Sequence, residues 1–161
     1  MFDIAIDKNQ PAAEFYADLT SSASAVVNGE PDAIANMANV AALIWQYMPD
    51  LNWAGFYRVV DGELVLGPFQ GKVACIRIAI GSGVCGTAAA SGLTQRVADV
   101  DAFPGHIACD ADSRSELVVP ILKNGVVIGV LDLDSPLPDR FAPADEAGMV
   151  KLIGAIANSL G

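Results

Sequence analysis

The chain has 161 residues and a formal charge of −10, from 19 acidic and nine basic side chains. That balance argues against nucleic acid and anionic membrane surfaces as partners, because both require basic patches. Just over half of the residues (53%) are apolar, enough for the core of one domain without disulfide staples. No window approaches the ~18 apolar residues of a membrane span. The start MFDIAIDKNQPAAEFY has neither a basic n-region nor an apolar h-region, so a cytoplasmic location is expected.

Residues Pro11–Val27 are alanine-rich and predict a helix. In EPDAIANMANVAALIWQYMP, Pro31 stands near a helix start and Ile34, Met37, Val40, Leu43 and Ile44 share one face. Pro49 ends this helix. The apolar period then changes to two. NWAGFYRVV and ELVLGPF flank Asp61–Gly62 and predict a hairpin. VACIRIAI predicts a further strand, GSGVCGTAAASG a short helix with Cys85 near its first turn, TQRVADV a strand, and DAFPGHIACDADSR a loop. A second hairpin is predicted in SELVVPILKNGVVIGVLDLD, where Asn124–Gly125 suits a type I′ turn. APADEAGMVKLIGAIANSL closes the chain as a helix with Val150, Ile153 and Ile156 on one face.

No repeat or long linker divides the chain, so residues 1–161 form a single domain. The expected class is α+β, with a mainly antiparallel sheet of about six strands. The N- and C-terminal helices cover one face. The segments Gly81–Gly92 and Asp99–Arg114 remain to cover the other, over a ligand pocket.

Three carboxylates bear on that pocket. Period two puts Asp132 and Asp134 on one strand face. A strict two-residue turn at Asn124–Gly125 pairs Glu116 with Leu133 and aims it away from both aspartates. A one-residue slip turns it towards them. Pro120 and Gly129, opposite each other in the strict register, favour a bulge, so the slip is predicted. Three acids on one pocket would hold raised pKa values and attract a cation or share protons; the alternative is a solvated strand face. DADSRSE resembles a calcium loop but lacks the turn glycine and the final bidentate glutamate, so no metal site is expected. Trp53 and Tyr57 share a strand face with Gly55 between them. They are either plain core or the walls of a hollow for a small apolar group.

The three cysteines are Cys75, Cys85 and Cys109. An odd count without a C-x-x-C motif suggests neither a disulfide framework nor structural zinc. Cys75 is expected on a strand, as an inert thiol. Cys109 follows His106 in a loop and precedes Asp110 and Asp112, whose charges suppress a thiolate. A lone loop histidine is more often solvated than a proton shuttle. Local electrostatics alone rank Cys85, near a helix N-terminus, as the better nucleophile.

The hairpin VVPILKNGVVIGVLDLDS and the helix–sheet order resemble a GAF domain. NWAGFY, GPFQGKVACIRI, GSGVCGTAA and CDADSRSELVVPI make the chain, from about Pro11 to Leu160, similar to the free methionine-R-sulfoxide reductases. The resemblance implies reduction of the R sulfoxide of free methionine, with thioredoxin as reductant, no bound cofactor and a homodimeric state. It makes Cys109 the nucleophile, Cys75 the main resolving thiol and Cys85 an auxiliary thiol. It also implies that Glu116, Asp132 and Asp134 are the acids of the site, Asp134 or a neighbour protonating the sulfoxide oxygen. Trp53 and Tyr57 become walls around the substrate methyl. A ligand-sensing GAF module and a thiol redox sensor are the alternatives. An acidic pocket disfavours the phosphate-bearing effectors of the first.

Overall fold

In the computed structural model, which describes residues 2–107 and 109–161, two tight turns organise the sheet. Met1 and Ala108 lie outside the described residues, the latter within the stretch HIACDADSRSE. Asp61 and Gly62 take φ of 51° and 82° and join β1 (Trp53–Val60) to β2 (Glu63–Gly71). Asn124 and Gly125 take φ of 53° and 77° and join β5 (Ser115–Lys123) to β6 (Val126–Ser135). Positive φ at both central residues is the type I′ requirement, and asparagine, aspartate and glycine tolerate it best. With β3 (Arg77–Ala79) and β4 (Gln95–Val97), the six strands form one antiparallel sheet in the order β3-β2-β1-β6-β5-β4.

Three helices cover one face: α1 (Ala12–Val27), α2 (Ala33–Tyr47) and α4 (Pro143–Ile156). They bury Ala54, Phe56, Leu117, Val119, Leu131 and Leu133 from the sheet. Asp32 caps α2 by accepting from the Ala35 N–H at 2.8 Å. Asp145 ties α1 to α4, accepting from the Tyr16 hydroxyl at 2.5 Å and the Ala142 N–H at 2.6 Å. The opposite face carries α3 (Gly83–Ser91) and a second apolar cluster that includes Trp53, Tyr57, Leu64, Ile78, Val84, Cys85, Val118 and Val130. Among the described residues, no helix is long and apolar enough to cross a membrane.

The α+β architecture expected from the sequence is therefore present, with helices on one face and a covered pocket on the other. Several local expectations need correction. Ile34 and Val150 are each 43% exposed. The buried face of α2 instead includes Asn36 and Ala41, and that of α4 is Gly148, Met149, Leu152, Ile153 and Ile156. The VACIRIAI strand shrinks to Arg77–Ala79, and TQRVADV to Gln95–Val97. Cys75 thus sits in the β2–β3 connection, where the Ile76 carbonyl accepts from the Leu66 N–H at 2.9 Å.

The predicted slip is present in the second hairpin. Lys123 pairs with Val126 and Leu122 with Val127, but Ile121 pairs with Gly129, leaving Ile128 as the extra residue. From there to the pocket the register is displaced by one, and Glu116 faces Asp134 directly. Gly129 permits the close approach of β1, since a Cβ there would lie 2.5 Å from the Tyr57 carbonyl oxygen.

Two glycines of α4 separate helix propensity from packing. A Cβ at Gly148 would lie 2.2–2.5 Å from the Tyr16 ring, whereas one at Gly154 would meet nothing within 4 Å. Gly154→Ala should stabilise the protein by up to about 1 kcal/mol. Gly148→Ala should destabilise it by about 1–3 kcal/mol, because overpacking outweighs the propensity gain. Urea denaturation of the two variants gives both signs.

Candidate active site

Alternation along β1, β5 and β6 builds the floor of the site. Trp53 pairs with Asp134, Gly55 with Asp132 and Tyr57 with Val130 across β1–β6. Glu116 and Val118 face Asp134 and Asp132 across β5–β6. Directly paired residues share a face, so both aromatics and all three acids stand on the side away from α1, α2 and α4. Around them is a narrow cavity of about 30 Å³. Its lining includes Cys75's neighbours Val73 and Ala74, the α3 start from Ser82 to Cys85, and His106, Cys109, Asp110 and Ser113.

The acids lie deep. Glu116 and Asp132 are each 6% exposed. Burial raises Asp132 from the ordinary 3.8 to about 6. Burial first, and then the charges of Asp132 and Asp134, push Glu116 well above its usual range. Burial, followed by the Asp132 charge, does the same to Asp134, against an opposing hydrogen bond from Ser113. The free enzyme therefore holds protons on this cluster at pH values where exposed carboxylates have lost theirs.

Cys75 and Cys109 are joined by a disulfide, with Cα atoms 5.5 Å apart, inside the range that a disulfide accepts. Two loops meet at this bond, and side chains from both sides fasten them. The Tyr57 hydroxyl donates to the Cys75 carbonyl at 3.0 Å, and the Trp53 indole donates to the Lys72 carbonyl at 3.1 Å. Asn52 donates to Asp110 Oδ2 at 3.2 Å and to Ser113 Oγ at 3.0 Å. Lys72 bridges the loops, hydrogen bonding to Asp112 and lying 3.6 Å from Asp110.

Those contacts change the electrostatics expected around Cys109. Asp110 is held below its ordinary pKa, chiefly because the Asp112 N–H donates to it and also through Lys72 and Asn52. It stays ionised, but its charge is shared with partners rather than aimed unopposed at the neighbouring sulfur. Cys85 is the contrasting case. It begins α3 as expected but is a buried free thiol, with Sγ 3.9 Å from Glu116 Oε1. Burial, and then the charges of Asp132 and Glu116, push its thiol well above the ordinary range. The helix N-terminus does not offset that environment, so Cys85 lacks the advantage that local electrostatics along the sequence gave it.

Of the two readings of Trp53 and Tyr57, packed core and hollow, the structure shows the packed one. Their rings stack with centroids 5.8 Å apart, and Phe69 stacks on Trp53 at 5.2 Å. A Cβ at Gly55 would lie 2.8 Å from the Trp53 ring and 2.3 Å from Phe69 Cβ. Gly55 thus makes room for the indole itself. His106, expected to be solvated, lines the cavity with Nε2 3.9 Å from Glu116 Oε2.

All eight site residues expected from the sequence converge on this cavity and the disulfide at its edge. Asn52, Lys72, Phe69 and Ser113 were not among them. Asn52 and Ser113 fall inside NWAGFY and CDADSRSELVVPI, and Lys72 and Phe69 inside GPFQGKVACIRI. Their positions were visible, but their partners across the loops were not.

Comparison with known proteins agrees with this arrangement. The GAF domain model matches residues 32–160. The chain is 50% identical over 147 residues to the free methionine-R-sulfoxide reductase of Escherichia coli K12, covering 91% of this chain and 89% of that protein. It is 44% identical to the Saccharomyces cerevisiae enzyme of the same name, over 91% of this chain and 86% of that one. The crystal structure of free methionine-R-sulfoxide reductase from Neisseria meningitidis in complex with its substrate superposes with a TM-score of 0.94 at 42% identity, covering 99% of this chain and 96% of that one. Three spaced cysteines, a bulged acidic hairpin and this depth of similarity place the chain in the GAF domain family and, within it, among the free methionine-R-sulfoxide reductases.

Proposed function

We propose that this protein reduces free L-methionine (R)-S-oxide to L-methionine. The observation that carries the proposal is the pairing of Cys75 with Cys109 beside a cavity floored by three carboxylates, two of them buried. A sulfoxide is a poor electrophile until its oxygen is protonated. An acid with a raised pKa supplies that proton at neutral pH.

Asp134 is the best-placed donor. It neighbours Ser113 and Asp110, on the side of the cavity where Cys109 enters. Glu116 and Asp132, deeper and beside Cys85, suit the substrate ammonium. The first turn of α3 leaves backbone N–H groups without intrahelical acceptors, and Ser82–Cys85 line the cavity. That turn suits the substrate carboxylate. The methyl group then lies against Trp53.

The chemistry balances in three steps. The Cys109 thiolate attacks the substrate sulfur as Asp134 protonates the oxygen. The oxygen passes to Cys109, methionine leaves, and Cys109 is a sulfenic acid. Cys75 attacks that sulfenic acid, water leaves, and the Cys75–Cys109 disulfide forms. A thioredoxin-type dithiol in the cytoplasm reduces the disulfide by exchange, and Cys85 serves as an auxiliary thiol. Binding and activation are linked, because the incoming ammonium neutralises part of the carboxylate field that acts on the site.

Thioredoxin-coupled NADPH consumption tests the reaction, with free methionine-R-sulfoxide, the S epimer and peroxide assayed separately. Turnover is expected with the R epimer. Normal peroxide reduction without R-epimer turnover would reject the proposal and favour a peroxide-linked thiol sensor. Cys109→Ser should fall to background, whereas Cys75→Ser should release one methionine per chain in a single-turnover assay and then stall.

The buried acids also set the pH dependence of the free enzyme's stability. Asp132 has a raised folded-state pKa of about 6 against an ordinary 3.8. Its favourable contribution is full below about pH 4 and is lost as pH rises through 6. Asp132→Asn should therefore gain stability relative to wild type between pH 4 and pH 7, by up to roughly 3 kcal/mol. Urea denaturation at the two pH values measures the difference, and saturating methionine should narrow it. A variant equally destabilised at both would assign Asp132 a packing role instead.

A further inference from the structure

Cys85, Glu116 and Asp132 each present a donor atom, and the three atoms lie within 4.8 Å of one another. They come from three elements, α3, β5 and β6, so no sequence spacing announces them. The stretch DADSRSE, the calcium-like motif, contributes only through its last residue. A second observation points to a ligand. Asp132 is 6% exposed, yet its Oδ1 has no hydrogen-bond partner among the described residues. A buried oxygen without a donor is costly, and here it lies in a cavity that also exposes Cys85 and Glu116.

We propose that this trio is a divalent-cation site for zinc and similar thiophilic metals. The donor chemistry selects the metal. One sulfur and two carboxylates suit zinc, whereas calcium and magnesium prefer all-oxygen shells with six or more ligands. The geometry is near the required one. Zn–S and Zn–O bonds of about 2.3 and 2.0 Å at a tetrahedral angle set sulfur and oxygen roughly 3.5 Å apart. Cys85 Sγ and Glu116 Oε1 are 3.9 Å apart, so a shift of a few tenths of an ångström closes the pair on a metal. His106 Nε2 lies 3.9 Å from the other Glu116 oxygen, Oε2, and is not part of the trio, so solvent would fill the fourth position. Charge balances as well. A thiolate and two carboxylates neutralise the cation and leave one negative charge, and the displaced protons pass to solvent. Such a metal occupies the ground assigned above to the substrate ammonium, so it acts as an inhibitor.

With the Cys75–Cys109 disulfide intact, Cys85 is the one thiol of the chain, which makes the test specific. The oxidised full-length protein is titrated with Cd²⁺ and followed by sulfur-to-cadmium charge-transfer absorbance. The expected band saturates at one Cd²⁺ per chain, yields to Zn²⁺, resists excess Ca²⁺ and Mg²⁺, and is absent from Cys85→Ser. Asp132→Asn and Glu116→Gln, with folding checked by circular dichroism, should each weaken Cd²⁺ binding by at least about tenfold. Absence of the band from wild type overturns the proposal, as does undiminished affinity in both folded carboxamide variants.

Discussion

The structure depends on one extra residue in one hairpin. Ile128 has no partner on β5, and its insertion rotates the pocket end of the β5–β6 pair by one position. Without it Glu116 would face Leu133 and point into the helix-covered core, where a carboxylate has no counter-charge and no cavity. With it, Glu116, Asp132 and Asp134 share a face and the leucines between them stay on the other. The slip also sets Gly129 under β1, where backbone approaches too closely for any side chain. A period of two makes every residue beyond a bulge respond together, so a single insertion selects which side chains make the core and which make the site.

Three carboxylates in a buried cluster are a standing cost to the free protein. Lys72 does not offset it, being spent on Asp110 and Asp112 at the rim. In the proposed reaction the cluster does chemistry that a neutral core could not: it keeps protons available at neutral pH, and in both proposals it accepts a cation that enters the cavity. An amino-acid ammonium and a thiophilic metal are two answers to one arrangement of charge, and the buried Cys85 thiol distinguishes them by favouring the metal.

Above this floor the site is held by loops that carry their own fastenings. Trp53 and Tyr57 act at both ends: their rings pack against the floor, while the indole N–H and phenol O–H hold the carbonyls of Lys72 and Cys75. Asn52 does the same for the Cys109 loop from the start of β1. One strand thus positions both disulfide partners. The Lys72 ion pairs across the loops are exposed and weakened by solvent screening, so the part-buried hydrogen bonds from Asn52, Trp53 and Tyr57 govern the geometry.

Much of this was legible in the sequence. Asn-Gly and Asp-Gly turns fix hairpins through the few residues that tolerate positive φ. Alternation in NWAGFY and LDLD assigned faces, and Pro120 with Gly129 signalled the bulge. The three cysteines and their motifs carried the family resemblance. Helix faces were read less well at Ile34 and Val150, because apolar spacing does not say which side of a helix the sheet will meet. What the sequence by itself determined was local: turn type, strand period, and which side chains were candidates for the site. What only the tertiary structure decided was the environment of each group. Cys85 lost its apparent advantage because β5 and β6 set acids against it, and Asp110 lost its hostility because Asn52 and Lys72 reach it from across the chain. Desolvation and Coulomb terms depend on distance in space, and no spacing along the chain specifies that distance.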